Sequence, residues 1–351
     1  MRGQHIKIHE DSELLISIRT KISKELVIDT AKGKLFILLK FIFYLSLTVA
    51  CYMSIFFAEN RILFWGCFIL YGFLSLLFSF NFAHDFSHNT VFKSKKWNNI
   101  GFTLIYTLVG AHADAWKQRH INSHHFAPNV EGYDTDLKIS KLIRVIPHSK
   151  YYSFQRFQHI YAPFAYTIYS LFWIFIKDFV VLFSHDEYTP NKNFRYHLVF
   201  WMQKSFYLFY LLVVPIVYAS HQWYIVLSGF LFMHLSMSLF LLFTFFMTHH
   251  VENTIYPTVD EHDNIKTSWM MNQIKSSNDM HPFSKLANFI FGGFNNHIAH
   301  HLFPNIHHIY YPRLNILLYQ FLNENGIQPN QTTYCGGIIS HLRLLKRMSY
   351  E

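Results

Sequence analysis

Long apolar runs separated by charged segments dominate the pattern of this chain. Residues 35–57 and 62–82 are each long enough to cross a hydrocarbon layer of ~30 Å at ~20 residues per crossing, and only AENR lies between them. Residues 205–219 and 223–247 form a second pair with an equally short link. Because a short link makes two spans antiparallel, the pattern predicts two transmembrane hairpins.

Two further apolar segments do not fit a simple crossing. Residues 100–112 are about half a crossing long, which indicates a re-entrant or interfacial helix. Residues 161–183 are long enough, but they contain Lys177 and Asp178 and lead into a charged loop, so we predict an interfacial helix there as well. With four spans, all the polar segments that follow a hairpin lie on the same side of the membrane.

The flanking charges predict which side that is. Lysines precede the first span, and residues 1–34 lack the apolar centre of a secretory signal, so the amino terminus and both hairpin openings are expected in the cytoplasm. We therefore predict an all-α membrane protein with a cytoplasmic N-terminal segment (1–34), a membrane domain (35–320) and a polar, basic cytoplasmic tail (321–351).

Composition changes this picture in one respect, the supply of metal ligands. The chain is 51% hydrophobic and 15% charged, too apolar for an ordinary soluble protein, and its net charge of +9 suits anionic lipid or phosphate better than nucleic acid. Its three cysteines are far apart, whereas it has 24 histidines. Any metal is therefore expected to be held mainly by imidazole.

Histidines recur at one-turn spacing in three polar segments. These segments are HDFSH (84–88), WKQRHINSHHFAPN (116–129) and GGFNNHIAHHLFP (292–304). On helices, residues three or four positions apart share one face. The eight imidazoles that result are His84, His88, His120, His124, His125, His297, His300 and His301.

Eight imidazoles are too many for one metal ion and suit two ions with open positions. Imidazole alone does not distinguish zinc from iron. Deep apolar, aromatic helices beside the site suit an acyl chain, and oxidising an unactivated C–H bond requires a redox metal, so the combination favours two iron ions with O2 as co-substrate. We therefore predict a histidine-rich di-metal cap on the cytoplasmic ends of the spans.

The three segments resemble the histidine boxes of the integral-membrane fatty acid desaturases. HDFSH resembles the first box, HINSHH the second and HIAHH the third, and the likeness extends from about Phe80 through NIHHIYYP to SHLRLLKRM. The branch that the chain resembles most is that of the linoleoyl-CoA or front-end desaturases. The resemblance implies a di-iron centre on the cytoplasmic side and a cis double bond as the product, with no catalytic residue needed beyond the metal ligands.

The resemblance also implies two further site residues and a departure at one box histidine. MTHHVENTIYP (247–257) resembles a family segment with a functional histidine, for which we favour His249 over His250. Front-end relatives commonly begin the third box with Gln, where this chain has His297, and have a further histidine where Asn272 stands here. The two departures form a possible exchange of ligands, in which Asn272 keeps a lesser role at the metal.

Carboxylates beside the boxes have two interpretations each. Asp85 is a candidate for orienting a box imidazole through its ring N–H, or a solvated interfacial residue. Asp134 and Asp136 are candidates for supporting the second box, or members of a polar turn after Gly132. The residue pattern leaves both alternatives open.

The expected partners follow from the predicted reaction. The substrate is a fatty acyl chain carried by CoA or by a lipid, in a multi-pass membrane protein for which a bacterial inner membrane is favoured over the endoplasmic reticulum. Since the chain has no flavin or nucleotide fingerprint and no HPGG-type cytochrome b5 segment, a separate ferredoxin, or cytochrome b5 with its reductase, is implied as the electron donor.

Two alternatives remain open from the sequence. A di-iron hydroxylase or related oxygenase would use the same ligands and yield an alcohol. A polyhistidine metal transporter is the alternative from a different class; it needs polar ligands inside the spans, where His234 is the only histidine well within one.

Overall fold

A computed structural model describes residues 3–28, 30–137, 141–184 and 192–350. Nearly all of its regular structure is helical, as predicted. The α-helices are His9–Glu25, Ala31–Ser54, Arg61–Phe78, His84–Ser87, Lys95–Leu108, Ala113–Arg119, Gln158–Tyr166, Tyr169–Phe172, Asp178–Phe183, Phe194–Leu208, Val214–Tyr218, Trp223–His249, Trp269–Lys275, Lys285–Phe291, His297–Leu302, Tyr311–Glu324 and Tyr334–Arg347.

Shorter elements complete the described fold. The π-helical turns are Ser79–Ala83, His120–His124, Trp173–Lys177 and Phe209–Val213, and the 3-10 turns are Thr135–Leu137, Ser153–Phe157 and His308–Tyr310. Two strands, Asp279–Met280 and Gln331–Thr332, pair in parallel, with Asp279 opposite Gln331. π-helical turns are rare and occur mostly at functional sites, and the turn His120–His124 lies within the second histidine segment.

The four predicted spans are confirmed, with longer bounds than the sequence indicated. Helical stretches long and apolar enough to cross a membrane run over Ala31–Ser54, Arg61–Ser87, Phe194–Tyr218 and Trp223–His249. The predicted start of the third span, residue 205, is wrong by about three helical turns. The chain is thus a multi-pass membrane protein.

The third span extends past a charged residue, Lys204, which the sequence pattern places in a polar loop. Lys204 is buried, and its ammonium group lies 2.7 Å from a carboxylate oxygen of Asp178, which is also buried. A buried charge with a hydrogen-bonded counter-charge is tolerated inside an apolar segment. The pair therefore allows a helix that contains Lys204 to be a span.

The segment predicted as an interfacial helix, 161–183, is broken. Helices Ser153–Tyr166 and Tyr169–Phe183 bend by 76° at the break between them, which is the form of a broken span or a re-entrant loop. The short helix predicted over 100–112 is present as Lys95–Leu108.

The described chain forms two compact units. The apolar unit comprises Lys34–Gln118 and Pro163–Leu242, and the histidine unit comprises Met1–Gly33, Arg119–Ala162 and Phe243–Glu351. In the apolar unit the core mixes aliphatic and aromatic side chains, the latter including Phe64, Phe68 and Tyr71. Gly72 permits close packing there, because a Cβ atom at this position would lie 2.6 Å from Met233 Cγ.

The core of the histidine unit joins segments distant in sequence. Ile18 and Ile22 of the first helix pack with Ile298 and Leu302 of the third histidine segment and with Leu318 of the helix Tyr311–Glu324. The amino-terminal helix and the carboxyl-terminal part of the chain are thus built into one core with the third histidine segment.

Candidate metal centre

The second histidine segment forms a turn wider than an α-helix. Residues 120–124 are π-helical, and the backbone N–H of His125 donates to the carbonyl of His120 at 3.0 Å, five residues back. The wider turn brings His125 under His120, with 3.1 Å between their Nε2 atoms. The rings of His120 and His124 stack at 5.5 Å, as expected for residues that share a face, and the wider turn adds His125 as a second neighbour of His120.

The third histidine segment is a short α-helix, His297–Leu302, in which all three box histidines are buried. His297 and His301 are four residues apart, and their Nε2 atoms lie 3.2 Å from each other. His300 belongs to a different group, with its Nε2 atom 2.9 Å from that of His125. The second and third boxes therefore each divide their histidines between two groups.

The first group, the quartet, consists of His124, His249, His297 and His301. One ring nitrogen of each lies within 4.8 Å of those of the other three. The Nε2 atom of His249 lies 2.7 Å from that of His297 and 3.3 Å from that of His301. Three segments of the histidine unit thus converge on one point.

The second group, the trio, consists of His120, His125 and His300. The Nε2 atom of His125 is the common neighbour of the other two, and the ring of His120 stacks parallel to that of His300 at 6.0 Å. The rings of His125 and His301 stack at 4.6 Å, so the trio is adjacent to the quartet.

The histidines of the first segment form a pair in the apolar unit. His84 and His88 lie one turn apart at the end of the span Arg61–Ser87, and their ring centroids are 5.1 Å apart. The ring of His84 also contacts Trp116 edge-on. The predicted one-turn presentation of these two rings is therefore present.

The outer nitrogens of the quartet are held by hydrogen-bond acceptors. His124 Nδ1 donates to a carboxylate oxygen of Asp134 at 3.0 Å, and His249 Nδ1 donates to the Ser276 carbonyl at 2.8 Å. His301 Nδ1 donates to Gln273 Oε1 at 2.7 Å. Since these oxygens only accept, each of the three rings carries its proton on Nδ1 and keeps a lone pair on Nε2.

Converging lone pairs are the arrangement that a metal ion requires. Two unprotonated Nε2 atoms 3.3 Å apart, as in His249 and His301, cannot hydrogen-bond to each other and repel unless a cation lies between them. A metal with bonds of ~2.1 Å to nitrogen separates neighbouring ligand atoms by roughly 3.0–3.4 Å. The separations of 3.2 and 3.3 Å between His301 and its neighbours His297 and His249 fall in this range, and that of 2.7 Å between His249 and His297 is shorter.

The electrostatics differ between the imidazoles of the quartet. Burial, helped by the neighbouring imidazoles, lowers the pKa of His301 well below its usual value. Burial also acts to lower the pKa of His124, but attraction and a hydrogen bond from Asp134 outweigh it, so that pKa is raised. The same contact holds the pKa of Asp134 below its usual value despite burial. An ionised Asp134 increases the basicity of the ring it supports.

The structure separates His249 from its neighbour His250. His249 joins the quartet, whereas His250 Nδ1 lies 2.9 Å from the Tyr256 hydroxyl, and burial lowers the pKa of His250. His234, on which the transporter alternative depends, has both ring nitrogens in hydrogen-bond contact, with Ser170 at 2.7 Å and Tyr207 at 2.8 Å.

The remaining candidates are placed as follows. Asn272 is buried, and its amide nitrogen donates to the Pro128 carbonyl at 2.9 Å and to Ser276 Oγ at 2.8 Å. Asp85 accepts a hydrogen bond from the Thr90 hydroxyl at 3.2 Å. A metal role for Asn272 and a supporting role for Asp85 stay predictions.

Both interpretations of Asp134 hold. Its carboxylate accepts from the backbone N–H groups of Asn129 and Asp136, as in a polar turn, and from the ring of His124. The side chain that shapes the turn after the second box is therefore also the one that orients a candidate ligand.

Three residues beside the site, Gln273, Ser276 and Asp279, were not predicted from the sequence. Gln273 and the Ser276 carbonyl hold two quartet rings, while Asp279 accepts from the backbone N–H of Ile298 at 2.9 Å, at the start of the third box. These residues have no helical spacing relative to the boxes, and an ordinary Gln or Asp in a polar stretch gives no signal of its own.

Replacing Gln273 with Leu is expected to weaken iron binding while leaving the fold in place. The variant keeps the side-chain volume but removes the acceptor of His301, and loss of such a partner costs about 10–100-fold in metal affinity. Iron bound per protein, titrated against a competing chelator, measures the change.

A matched variant controls for the loss of a buried Gln–His contact. Gln203 Oε1 lies 2.9 Å from His112 Nδ1, a buried contact that involves no box histidine. Gln203→Leu is expected to leave the iron affinity unchanged. Equal losses in both variants would contradict a specific role for Gln273.

The comparisons with known proteins agree with this site. The family model described as "Fatty acid desaturase" matches residues 60–333. An acyl-lipid (8-3)-desaturase of Physcomitrium patens is 29% identical over 89% of this chain and 66% of its own length. An sn-1 linoleoyl-lipid 6-desaturase of Arthrospira platensis is 27% identical over 81% of this chain and 77% of its own.

A third relative is a probable Delta(5) fatty acid desaturase of Dictyostelium discoideum, 30% identical over 80% of this chain and 63% of its own length. The chain thus spans about two thirds to three quarters of these relatives. They are front-end and acyl-lipid desaturases, which confirms the predicted branch. With its three histidine boxes and its match over residues 60–333, the chain belongs to the fatty acid desaturase family and is an oxidoreductase.

Proposed function

We propose that this protein is an O2-dependent acyl desaturase that inserts a cis double bond with a di-iron centre. The overall reaction converts –CH2–CH2– and O2, with two electrons and two protons, into –CH=CH– and two molecules of water. The observation that carries the proposal is the convergence of Nε2 lone pairs in the quartet, each with its Nδ1 proton held by an acceptor.

The quartet would hold one iron and the trio would contribute to the second. We propose that His84 and His88 complete the second set, as the one-turn spacing of the first box suggests. Asn272 is proposed to act at the quartet through its amide oxygen. Iron bound by these residues would supply the redox chemistry that oxidation of an unactivated C–H bond by O2 requires.

The protein itself contributes positioning and exclusion of water. The quartet rings are buried, and their Nδ1 partners fix both the tautomer and the orientation of three of them. Asp134 would hold the proton of His124 on Nδ1 through a carboxylate that itself accepts from two backbone N–H groups. Little reorganisation is then required when the metal changes charge.

The relatives' names suggest the acyl carrier. Two of the three act, by name, on acyl-lipids, so we propose a lipid-linked acyl chain rather than a CoA ester as the substrate. We further propose that the site faces the cytoplasm of a bacterial inner membrane and that ferredoxin or cytochrome b5 delivers the electrons, one at a time. The orientation rests on the lysines before the first span.

Lipid analysis tests the proposed reaction. Cells that express the protein should accumulate acyl chains with one additional double bond, located by mass spectrometry, and His300→Ala should abolish the product because it removes the link between His125 and the third box. An alcohol without a new alkene would support the hydroxylase instead, and metal uptake without an oxidised lipid would support the transporter.

A further inference from the structure

The carboxyl-terminal helix Tyr334–Arg347 covers the part of the chain that carries His249. A Cβ atom at Gly337 would lie 3.0 Å from the sulfur of Met247, and His341 Nδ1 donates to the His250 carbonyl at 2.8 Å. The backbone N–H of Glu252 donates to Ser340 Oγ at 3.0 Å. The inner face of this helix is therefore in direct contact with residues on both sides of a candidate metal ligand.

The outer face of the same helix is basic. Arg343, Lys346 and Arg347 are exposed, and the sequence from Tyr334 to Arg347 contains no acidic residue. The carboxylate of Glu252 contacts this helix, where it accepts a hydrogen bond from the Ser340 hydroxyl. The outer face thus has three positive charges on little more than one turn.

These cations are not needed to stabilise the end of the helix. Positive side chains near a helix carboxyl terminus often serve to satisfy its last carbonyls. Here the buried Gln158 amide donates to the Leu345 carbonyl and the buried Arg144 guanidinium donates to that of Met348, both at 2.9 Å. The carboxyl end of the helix is thus capped by residues other than its exposed cations, of which Arg347 also donates to the Glu252 carbonyl at 3.4 Å.

We propose that the outer face of the helix Tyr334–Arg347 is the docking surface for the acidic one-electron carrier protein that reduces the metal centre. The proposal rests on the proposed function, which needs two electrons per double bond. A carrier bound there would be separated from the residues around His249 by a single helix, about 10–12 Å thick with its side chains. Each docking event oxidises the carrier by one electron and reduces the centre by one.

Charge reversal tests the surface. In the iron-loaded protein in lipid nanodiscs, Arg343→Glu, Lys346→Glu and Arg347→Glu together should slow oxidation of reduced soluble cytochrome b5, or of a reduced plant-type ferredoxin, by more than about tenfold at low salt. Stopped-flow absorbance gives the second-order rate. The slowing with added salt seen in the parent should be largely absent in the variant.

Two controls isolate docking from folding. The control variant carries Lys7→Glu, Lys24→Glu and Lys285→Glu. It reverses the same number of exposed positive charges elsewhere in the histidine unit and should leave the carrier rate near that of the parent. Reduction by dithionite, which needs no docking surface, should be equally fast in all three proteins. An unchanged carrier rate in the first variant overturns the proposal.

The competing outcome is that the basic face binds the head group of the acyl substrate. If charge reversal instead raises the KM for the acyl-lipid and leaves carrier oxidation unchanged, the surface binds an anionic head group and the docking proposal is wrong. If the proposed desaturase function is wrong, no alkene would form with any carrier. Carrier oxidation by parent and variant could still be compared, so this outcome differs from a failure of the docking proposal.

Discussion

Asp279→Ala is expected to disrupt the third histidine box and to abolish iron binding. The helix His297–Leu302 has no side-chain cap of its own, and Asp279 accepts from the N–H of Ile298 at 2.9 Å and from the Tyr319 hydroxyl at 2.9 Å. Asn315 adds a third, longer contact of 3.4 Å. Removing the carboxylate leaves buried donors without an acceptor.

The expected loss in stability is substantial. Burial raises the pKa of Asp279 to about 7, so the relevant cost is that of leaving a buried donor without an acceptor, about 1–3 kcal/mol each. Loss of the two short hydrogen bonds should therefore lower the free energy of unfolding by about 2–6 kcal/mol. Thermal unfolding in detergent, with and without iron, should show a clear fall in midpoint. The iron content should fall with it, because His297 and His301 lie in the helix that Asp279 anchors.

Two variants make this expectation specific. Asp279→Asn keeps an acceptor oxygen for Ile298 and should fall between parent and Asp279→Ala. Asp260 accepts from His262 and Asn264 in a surface turn, and Asp260→Ala should leave the iron content unchanged. A folded Asp279→Ala protein with full iron content would refute an anchoring role.

The sequence was sufficient for the histidine boxes because their signal is local. Spacings of three to five residues bring rings together on a single turn, whichever helix type forms, and thus His297 and His301 could be paired before the structure was known. The sequence was insufficient to predict which histidine rings belong to the quartet and which to the trio. The π-helical turn that pairs His120 with His125 depends on backbone geometry that the residue types do not specify.

The supporting residues could not be predicted for a different reason. Asp279 and Gln273 act on side chains or backbone groups 19 and 28 residues away, through contacts that exist only once the chain has folded. The third span was misplaced for the same kind of reason, since Lys204 is neutralised by Asp178, 26 residues away in sequence. Hydropathy counts such a charge as exposed until its partner is known.

His297→Gln is expected to deplete the quartet of iron and to reduce product formation by more than about a hundredfold, since changes in outer-shell partners alone cost 10–100-fold. The Nε2 atom of His297 lies 2.7 Å from that of His249 and 3.2 Å from that of His301, so its loss removes a central donor. Iron per protein should fall from about two towards one in metal analysis. His250→Gln, a matched change at a ring directed to Tyr256, should retain both irons.

The double variant His297→Gln with Asn272→His tests whether positions 297 and 272 can exchange one metal ligand. Asn272 bonds to the hydroxyl of Ser276, whose carbonyl holds His249, so a histidine at position 272 would begin beside the quartet. Recovery of iron and product in the double variant would establish that positions 297 and 272 exchange one ligand. Loss in the single variant without recovery would keep His297 as a ligand and reject the exchange. Intact iron content and activity in the single variant would reject both His297 as a ligand and the exchange with position 272. A side chain that can be removed without loss of iron is not a ligand.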